Sequence, residues 1–208
     1  RFSHKNMIYI YGSGGRAKLI KEILIRHEVK SKEIKFIDDY IKGYKRTSYL
    51  LKNFNKKKDQ LYIGISDPKL QQKKYSFFKK KFKEIDNDPL IDPKAILKSK
   101  IRIKKNVIIL ENASIGPNVK LDQNVFIGAN VIINHDCKIK KFTTIGHGAN
   151  LAGNVRVNEY CSIGISSIFK QNVLVEKNVI IGCGANIIRK CQKNSTYYGN
   201  PAKKIKVK

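Results

Sequence analysis

Hydrophobic positions in the second half of the chain follow a strict period of six. From Ile91, every sixth residue is large and apolar: Leu97, Ile103, Ile109, Ile115, Leu121, Ile127, Ile133 and Ile139, then Ile145, Leu151, Val157, Ile163, Phe169, Val175, Ile181 and Ile187. A second series, two residues earlier, runs from Val119 through Val125, Val131, Cys137, Thr143, Ala149, Val155, Cys161, Ser167, Val173 and Val179 to Ala185, all small or β-branched. A helix needs spacing near 3.6 and an amphipathic strand spacing of two, so neither accounts for six. A six-residue side that turns inward at two positions does. Three such sides make a triangular coil, and coils stack about 4.8 Å apart through parallel β hydrogen bonds. Glycine follows the large residue at Gly116, Gly128, Gly146, Gly164 and Gly182, where the reading expects a corner to use positive φ.

Residues 7–90 carry a different pattern. Met7–Tyr11 is an apolar strand that ends in Gly12-Ser13-Gly14-Gly15-Arg16-Ala17-Lys18, and a helix follows through Leu19, Ile20, Ile23 and Leu24. Ile34–Ile37 is a second strand closed by Asp38-Asp39, and Leu61–Ile65 a third. Asp67-Pro68 opens a helix carrying Tyr75, Phe77, Phe78 and Phe82. Strands alternating with helices predict a small doubly wound, Rossmann-like α/β unit. Gly12-x-Gly14-x-x-Ala17 between strand and helix offers backbone N–H groups and a positive helix end to a phosphate. Asp38, about 20 residues on, matches the acid that holds a ribose hydroxyl in dinucleotide sites. The unit is about half the size of a dinucleotide fold, so a mononucleotide or a nucleotide sugar suits it better than NAD. The expected organisation is therefore 7–90 as an α/β domain and 91–208 as a β-helix with a C-terminal tail.

Composition narrows the function. No run of eighteen apolar residues exists to span a membrane as a helix. Met7, the only methionine, directly precedes the first apolar run, so residues 1–6 are expected to be a non-native extension and the protein cytoplasmic. Cys137, Cys161, Cys183 and Cys191 lack CxxC spacing and are expected to be free thiols filling small core positions, with no metal. Lysine and arginine number 43 against 16 acids, a net charge of +27. The charge is mostly lysine, spread over the whole length, without arginine clusters or interleaved aromatics. It reads as solvated surface rather than a nucleic-acid face, while its field still attracts polyanions such as CoA and nucleoside-diphosphate sugars.

Two histidines, His135 and His147, occupy the same outward slot of the repeat, two residues after the large core position. His135 stands in Ile133-Asn134-His135-Asp136-Cys137, where Asp136 can orient the imidazole if the corner turns it back. Taking the proton of an amine or hydroxyl as it attacks needs a base of near-neutral pKa, and histidine is the natural one. No nucleophile–base motif suggests an acyl-serine intermediate.

Five pieces in order, Tyr11-Gly12-Ser13-Gly14-Gly15, Phe36-Ile37-Asp38-Asp39, Ile133-Asn134-His135-Asp136-Cys137, Leu151-Ala152-Gly153-Asn154-Val155 and Tyr198-Gly199-Asn200-Pro201-Ala202-Lys203, carry a resemblance over the chain from Met7 onward. The chain resembles the bacterial sugar acetyltransferases related to sialic acid O-acetyltransferase and to the bacillosamine-pathway UDP-4-amino-sugar N-acetyltransferase. The resemblance implies a left-handed parallel β-helix, a homotrimer with sites between neighbouring β-helices, and His135 as general base with Asp136 beside it. It implies acetyl-CoA along the β-helix near Gly153, Ile165, Gly182 and Cys183, with Gly199, Asn200 and Pro201 closing over it. It also implies a nucleotide-sugar substrate held by the front domain at Gly12, Ser13, Gly14, Lys18, Asp38 and Asp39. In many relatives a second histidine follows the phenylalanine by two residues; here Phe142 is followed by Thr143-Thr144, and Thr144 is expected to donate to the thioester instead. Arg16 replaces a common histidine in the glycine loop. Among rivals, a trimeric zinc carbonic anhydrase on the same repeat needs three histidines around its metal, which the spacing does not supply. A basic solenoid that merely binds acidic polymers leaves the front domain and the tail unexplained. Amine and hydroxyl acceptors are both compatible with the residues, and the glycine loop with the paired aspartates favours a nucleotide-linked amino sugar.

Overall fold

A computed structural model describes residues 7–205, so the extension expected at residues 1–6 lies outside the described residues. The chain divides into two compact units, Arg1–Asn87 and Asp88–Lys208.

The front unit alternates β1 (Ile8–Tyr11), α1 (Gly15–Arg26), β2 (Ile34–Ile37), α2 (Thr47–Asn53), β3 (Gln60–Ile63) and α3 (Pro68–Phe82). The strands form a parallel sheet in the order β2-β1-β3. All four residues of β1 are buried, which is why its sequence is a continuous apolar run rather than an alternating one. The chain leaves β1 towards β2 on one side and returns to β3 on the other, so the crevice at the carboxyl end of β1 is a topological switch point. Gly12 sits there at φ +99°, a conformation closed to ordinary side chains, and its N–H donates to the Ile37 carbonyl at 2.8 Å. The short helix α2 was not legible in the sequence: Thr47 opens it, and Asp39 accepts from both the Thr47 N–H (2.8 Å) and its hydroxyl (2.7 Å).

The second unit is a parallel β-helix of three sheets. Sheet one holds Leu90–Ile91, Ile108–Ile109, Phe126–Ile127, Thr144–Ile145, Ser162–Ile163 and Ile180–Ile181, and it continues into Thr196–Tyr198 and the antiparallel Lys203–Ile205. Sheet two holds Ile96–Leu97, Ser114–Ile115, Ile132–Ile133, Asn150–Leu151, Ile168–Phe169 and Asn186–Ile187. Sheet three holds Arg102–Ile103, Lys120–Leu121, Lys138–Ile139, Arg156–Val157 and Leu174–Val175. Within each sheet, strands pair in register with those one coil away, as Phe126 with Thr144 and Ile127 with Ile145.

From Ile109 to Ile187 the large residues are almost wholly buried, and the small series from Val119 to Ala185 lies beside them. Each such side chain contributes about 1.5–3 kcal/mol on burial. Leu97, in the first coil, stays 39% exposed, because no earlier coil stacks beneath it. Polar members of the small series reach a corner carbonyl: Thr143 Oγ1 donates to Asn158 O at 2.9 Å, and Ser167 Oγ to Gly164 O at 2.8 Å. Cys137, Cys161 and Cys191 are buried as expected of core thiols, but Cys183 is exposed. It stands two residues after Ile181, in the outward corner slot, while Ala185 takes the inward one.

The corner glycines also differ from expectation. Gly116, Gly128, Gly146, Gly164 and Gly182 are not at positive φ. The left-handed position comes two residues later and is filled mostly by asparagine: Asn106, Asn112, Asn118, Asn124, Asn130, Asn154, Asn172 and Asn178, with Asp136 in the same register. Asparagine and aspartate tolerate this region because the short polar side chain bonds locally. The glycines serve close stacking instead. A Cβ on Gly128 would lie 2.7 Å from His147 N, and one on Gly164 would lie 2.5 Å from Gly182 C.

Two substitutions separate these roles in thermal or denaturant unfolding. Asn178→Gly is expected to be nearly neutral at its φ of +58°, whereas Asn178→Ala costs about 1–2 kcal/mol. Gly164→Ala, at ordinary φ, is expected to cost about 1–3 kcal/mol through overpacking.

Candidate active site

Three corners join the sheets, and outward residues eighteen apart form columns along each, as Asn118 and Asp136 do. His135 and Asp136 stand on the corner between sheets two and three. Asp136 adopts φ +61°, and this turn brings its carboxylate back to the imidazole: His135 Nδ1 lies 2.8 Å from Asp136 Oδ2. Asn118 Nδ2, one coil below, donates to the other carboxylate oxygen at 3.2 Å. The His135 bond, and after it the Asn118 bond, holds the Asp136 carboxyl below its ordinary range. An ionised carboxylate accepts only, so Nδ1 carries a proton, and in the neutral imidazole Nε2 presents the lone pair. Gly153, one coil above, is the seat of the ring: a Cβ there would lie 2.4 Å from His135 Nε2. Any side chain at 153 displaces the imidazole.

His147 stands on the corner between sheets one and two with the opposite polarity. Its Nδ1 accepts from the Ala129 N–H at 3.0 Å, so Nε2 carries the proton and points a donor outward. Ile165 and Cys183 follow it in the same column, both exposed. Beside this column runs the glycine track Gly128, Gly146, Gly164 and Gly182, a line of backbone without side chains. Thr144 faces outward on sheet one, between Phe126 and Ser162 in register.

The tail crosses the top of this corner. Tyr198 lays its ring on Gly182, where a Cβ would lie 1.9 Å from Tyr198 Cδ1. Asn186 fastens the turn that follows: its N–H donates to Gly199 O (3.0 Å), its Nδ2 to Asn200 Oδ1 (3.0 Å), and its carbonyl accepts from Ala202 N–H (2.8 Å). Gly199 and Asn200 are thus tied to Asn186, just past the corner of Gly182 and Cys183, whereas Gly153 belongs with His135 and Asp136 on another corner. One chain does not bring the two groups together. Tyr198 and the Gly153 seat were not foreseen as contacts; the eighteen-residue interval between 135 and 153 was the available signal.

In the front unit, the glycine loop is tied to the end of β2. Ser13 Oγ donates to Asp38 Oδ2 at 2.7 Å, while Asp38 Oδ1 accepts from Tyr40 N–H (2.9 Å) and Ile41 N–H (3.1 Å). Burial would raise the Asp38 carboxyl, but these bonds outweigh it and hold it below the ordinary range. Asp39 is likewise lowered against the effect of burial by Thr47, by the Tyr11 hydroxyl at 2.8 Å and by Lys74 at 3.9 Å. Asp39 is thus committed to fastening β1 to α2. Around Gly14 and Gly15 a Cβ would meet nothing within 4 Å, and α1 starts without a side-chain cap or an acid in its first turn. That leaves the helix start open to an anion, with Lys18 exposed one turn along. Arg16 is buried beneath the loop rather than facing the crevice; its Nη1 donates to Ile65 O at 2.8 Å, and burial lowers its pKa to about 9. Gly64 permits this packing, since a Cβ there would lie 2.6 Å from that of Ala17.

Sequence and structure comparisons agree with this geometry. The bacterial transferase hexapeptide model (six repeats) matches residues 100–135 and 118–153, and the PglD N-terminal domain model matches residues 7–78. The acetyltransferase domain of PglB from Neisseria gonorrhoeae FA1090, in complex with acetyl coenzyme A, is 23% identical, with a TM-score of 0.87 over 98% of this chain and 100% of that one. PerB from Caulobacter crescentus, in complex with CoA and GDP-perosamine, is 21% identical, with a TM-score of 0.86 over 96% and 97% of the two chains. WeeI from Acinetobacter baumannii AYE is 21% identical, with a TM-score of 0.85 over 97% and 100%. A search of curated proteins gave no match. The repeat is the one described by the bacterial transferase hexapeptide model, wound left-handed as in the solved structures that share the fold. The front unit matches the PglD N-terminal domain model, and nearly the whole chain shares its fold with these solved acetyltransferases.

Of the four thiols, Cys183 alone is expected to react with a maleimide in the folded protein at neutral pH. Burial raises Cys137 to about 11 and Cys161 and Cys191 to about 12. Mass spectrometry of the labelled protein should find one modified cysteine, and all four after unfolding.

Proposed function

We propose that the chain transfers the acetyl group of acetyl-CoA to the amine of a nucleotide-linked 4-amino-4,6-dideoxy sugar, in the cytoplasmic synthesis of surface or protein glycans. The observation that carries this is the His135–Asp136 pair, polarised so that Nε2 holds a lone pair above side-chain-free Gly153. The bound GDP-perosamine of PerB and the bound acetyl-CoA of the PglB domain support the same substrate classes here.

The transfer is direct. As the amine nitrogen attacks the thioester carbonyl, His135 Nε2 takes its proton and Asp136 stabilises the resulting imidazolium. The tetrahedral intermediate then collapses, the C–S bond breaks, and the proton passes to the departing thiolate, giving free CoA and the N-acetyl sugar. His147 Nε2–H and the Thr144 hydroxyl lie beside the glycine track and are suited to donate to the CoA thioester or its amides. The track takes CoA because from Gly128 to Gly164 it offers backbone without side chains of its own, flanked by Ile165 and Cys183, with the Tyr198 ring on Gly182 and the Gly199-Asn200-Pro201 turn at its end. Gly12, Ser13, Gly14, Lys18 and Asp38 of the front domain (7–90) hold the nucleotide, with Asp39 fixing the loop that carries Asp38.

The working assembly is a homotrimer. His135 stands on one corner and the CoA track on another, so a complete site takes one corner from each of two copies. Sheet two, which lies between those corners, exposes Ile96 (51%), Ile132 (42%) and Ile168 (53%) on alternate coils, an apolar ridge suited to meeting its own kind.

Thiol release from acetyl-CoA, measured with a panel of UDP-, GDP- and dTDP-4-amino sugars, tests the proposal. One member should turn over, with His135→Ala lowering kcat about 10²- to 10⁴-fold. Gly153→Ala should lower kcat comparably without unfolding the protein. Turnover only with a sialic acid or another hydroxyl acceptor would change the acceptor, and failure to bind CoA would overturn the reading. Saturating CoA should also protect Cys183 from the maleimide.

A further inference from the structure

The outer face of sheet three carries a column of like charge that stability does not explain. Arg102 pairs with Lys120, Lys120 with Lys138, and Lys138 with Arg156, each directly opposite the next in the ladder. Adjacent strands lie about 4.8 Å apart, and like charges directly opposite repel. The column therefore puts four cations at the closest spacing a sheet allows. Three other lysines of the β-helix have acidic partners: Lys104 meets Asp122 at 2.7 Å, Lys105 meets Asp88 at 2.6 Å, and Lys190 meets Glu176 at 2.6 Å. Among the described residues, none of the four members of the column has an ion pair. A merely solvated lysine surface would not be expected to stack its charges in register.

Three of the four members also lie in a recess. Arg102, Lys120 and Lys138 line an open groove of about 880 Å³, whose other wall is the asparagine corner of Asn118, Asn154 and Asn172. Asp136 lines the same groove, so it runs alongside the carboxylate that orients His135. The cations of the first wall are the chemistry that holds phosphate oxygens, while on the other the Asn118 and Asn154 amides already donate to Asp136 and Asn172.

We propose that this groove is a phosphate-binding site that seats the diphosphate of one of the two phosphate-bearing substrates, the nucleotide-linked acceptor or CoA. The column positions that substrate against His135 by charge. This rests on the acetyl-transfer reading for the identity of the ligand, but the groove's affinity for phosphate is measurable without turnover.

Calorimetric titration of UDP, GDP, dTDP and 3′,5′-ADP into the full chain tests it, comparing wild type, Lys120→Ala/Lys138→Ala, and the exposed control Lys57→Ala. The double variant is expected to bind one ligand class about tenfold more weakly, with the control unchanged. Its melting temperature should be equal or higher, because repulsion has been removed. Loss confined to the nucleoside diphosphates assigns the groove to the acceptor, and the KM for the nucleotide sugar should rise with it. Loss confined to 3′,5′-ADP assigns it to CoA, with the rise in the KM for acetyl-CoA. Equal affinities across the three proteins, or no binding to wild type, overturn the proposal. A tenfold loss in a protein that transfers no acetyl group would sink the enzymatic reading while leaving the phosphate site in place.

Discussion

The parallel hydrogen bonds between coils are the constraint on which everything else in the second unit depends. Each side donates to the carbonyls of the side above it, as Ile108 N–H does to Val125 O and Leu110 N–H to Ile127 O. This ladder fixes which residue stands over which. It brings the backbone of the corner glycines close to that of the coil above, as Gly164 to Gly182. It also makes every outward position one rung of a column. The imidazole seat on Gly153, the asparagine rows and the cationic column are consequences of the same register.

Much of this was legible before any coordinates. A period of six with two inward positions leaves little choice of architecture, and the strand–glycine–helix opening of the front unit is equally explicit. The corner backbone was not. Glycine invites a reading in terms of conformational freedom, and nothing in the sequence says that freedom is taken up two residues later, by asparagine, while glycine answers to crowding. Cys183 was misread for a related reason: residue type suggested a core thiol, whereas its place in the hexad assigned it to the outside. Helix α2 escaped notice because its cap, Asp39, lies eight residues before the Thr47 it holds.

The pairing of Asp136 with His135 depends on a left-handed residue, and aspartate is one of the few that accept it. The residue that supplies the charge is therefore also the one that makes the turn. An asparagine there would keep the turn and lose the charge; a glutamate would keep the charge and strain the turn. The two histidines of the repeat occupy equivalent slots, yet their partners give them opposite outward polarity, one acceptor and one donor. The identity of the neighbour at Nδ1, more than that of the histidine, sets what each can do.

A solenoid has two ends, and each is a sheet edge that invites another chain to continue it. At the carboxyl end, the strand Thr196–Tyr198 turns back through the tail to lay Lys203–Ile205 against it in the antiparallel sense. Tyr197 plugs the last coil, its hydroxyl accepting from Gln192 N–H at 2.9 Å. The reversed strand breaks the parallel template and puts lysines on the terminal rung. The same tail that lies at the end of the glycine track thereby works as a chain terminator in the polymer sense, keeping a stack that is well formed for fibre growth at a finite length.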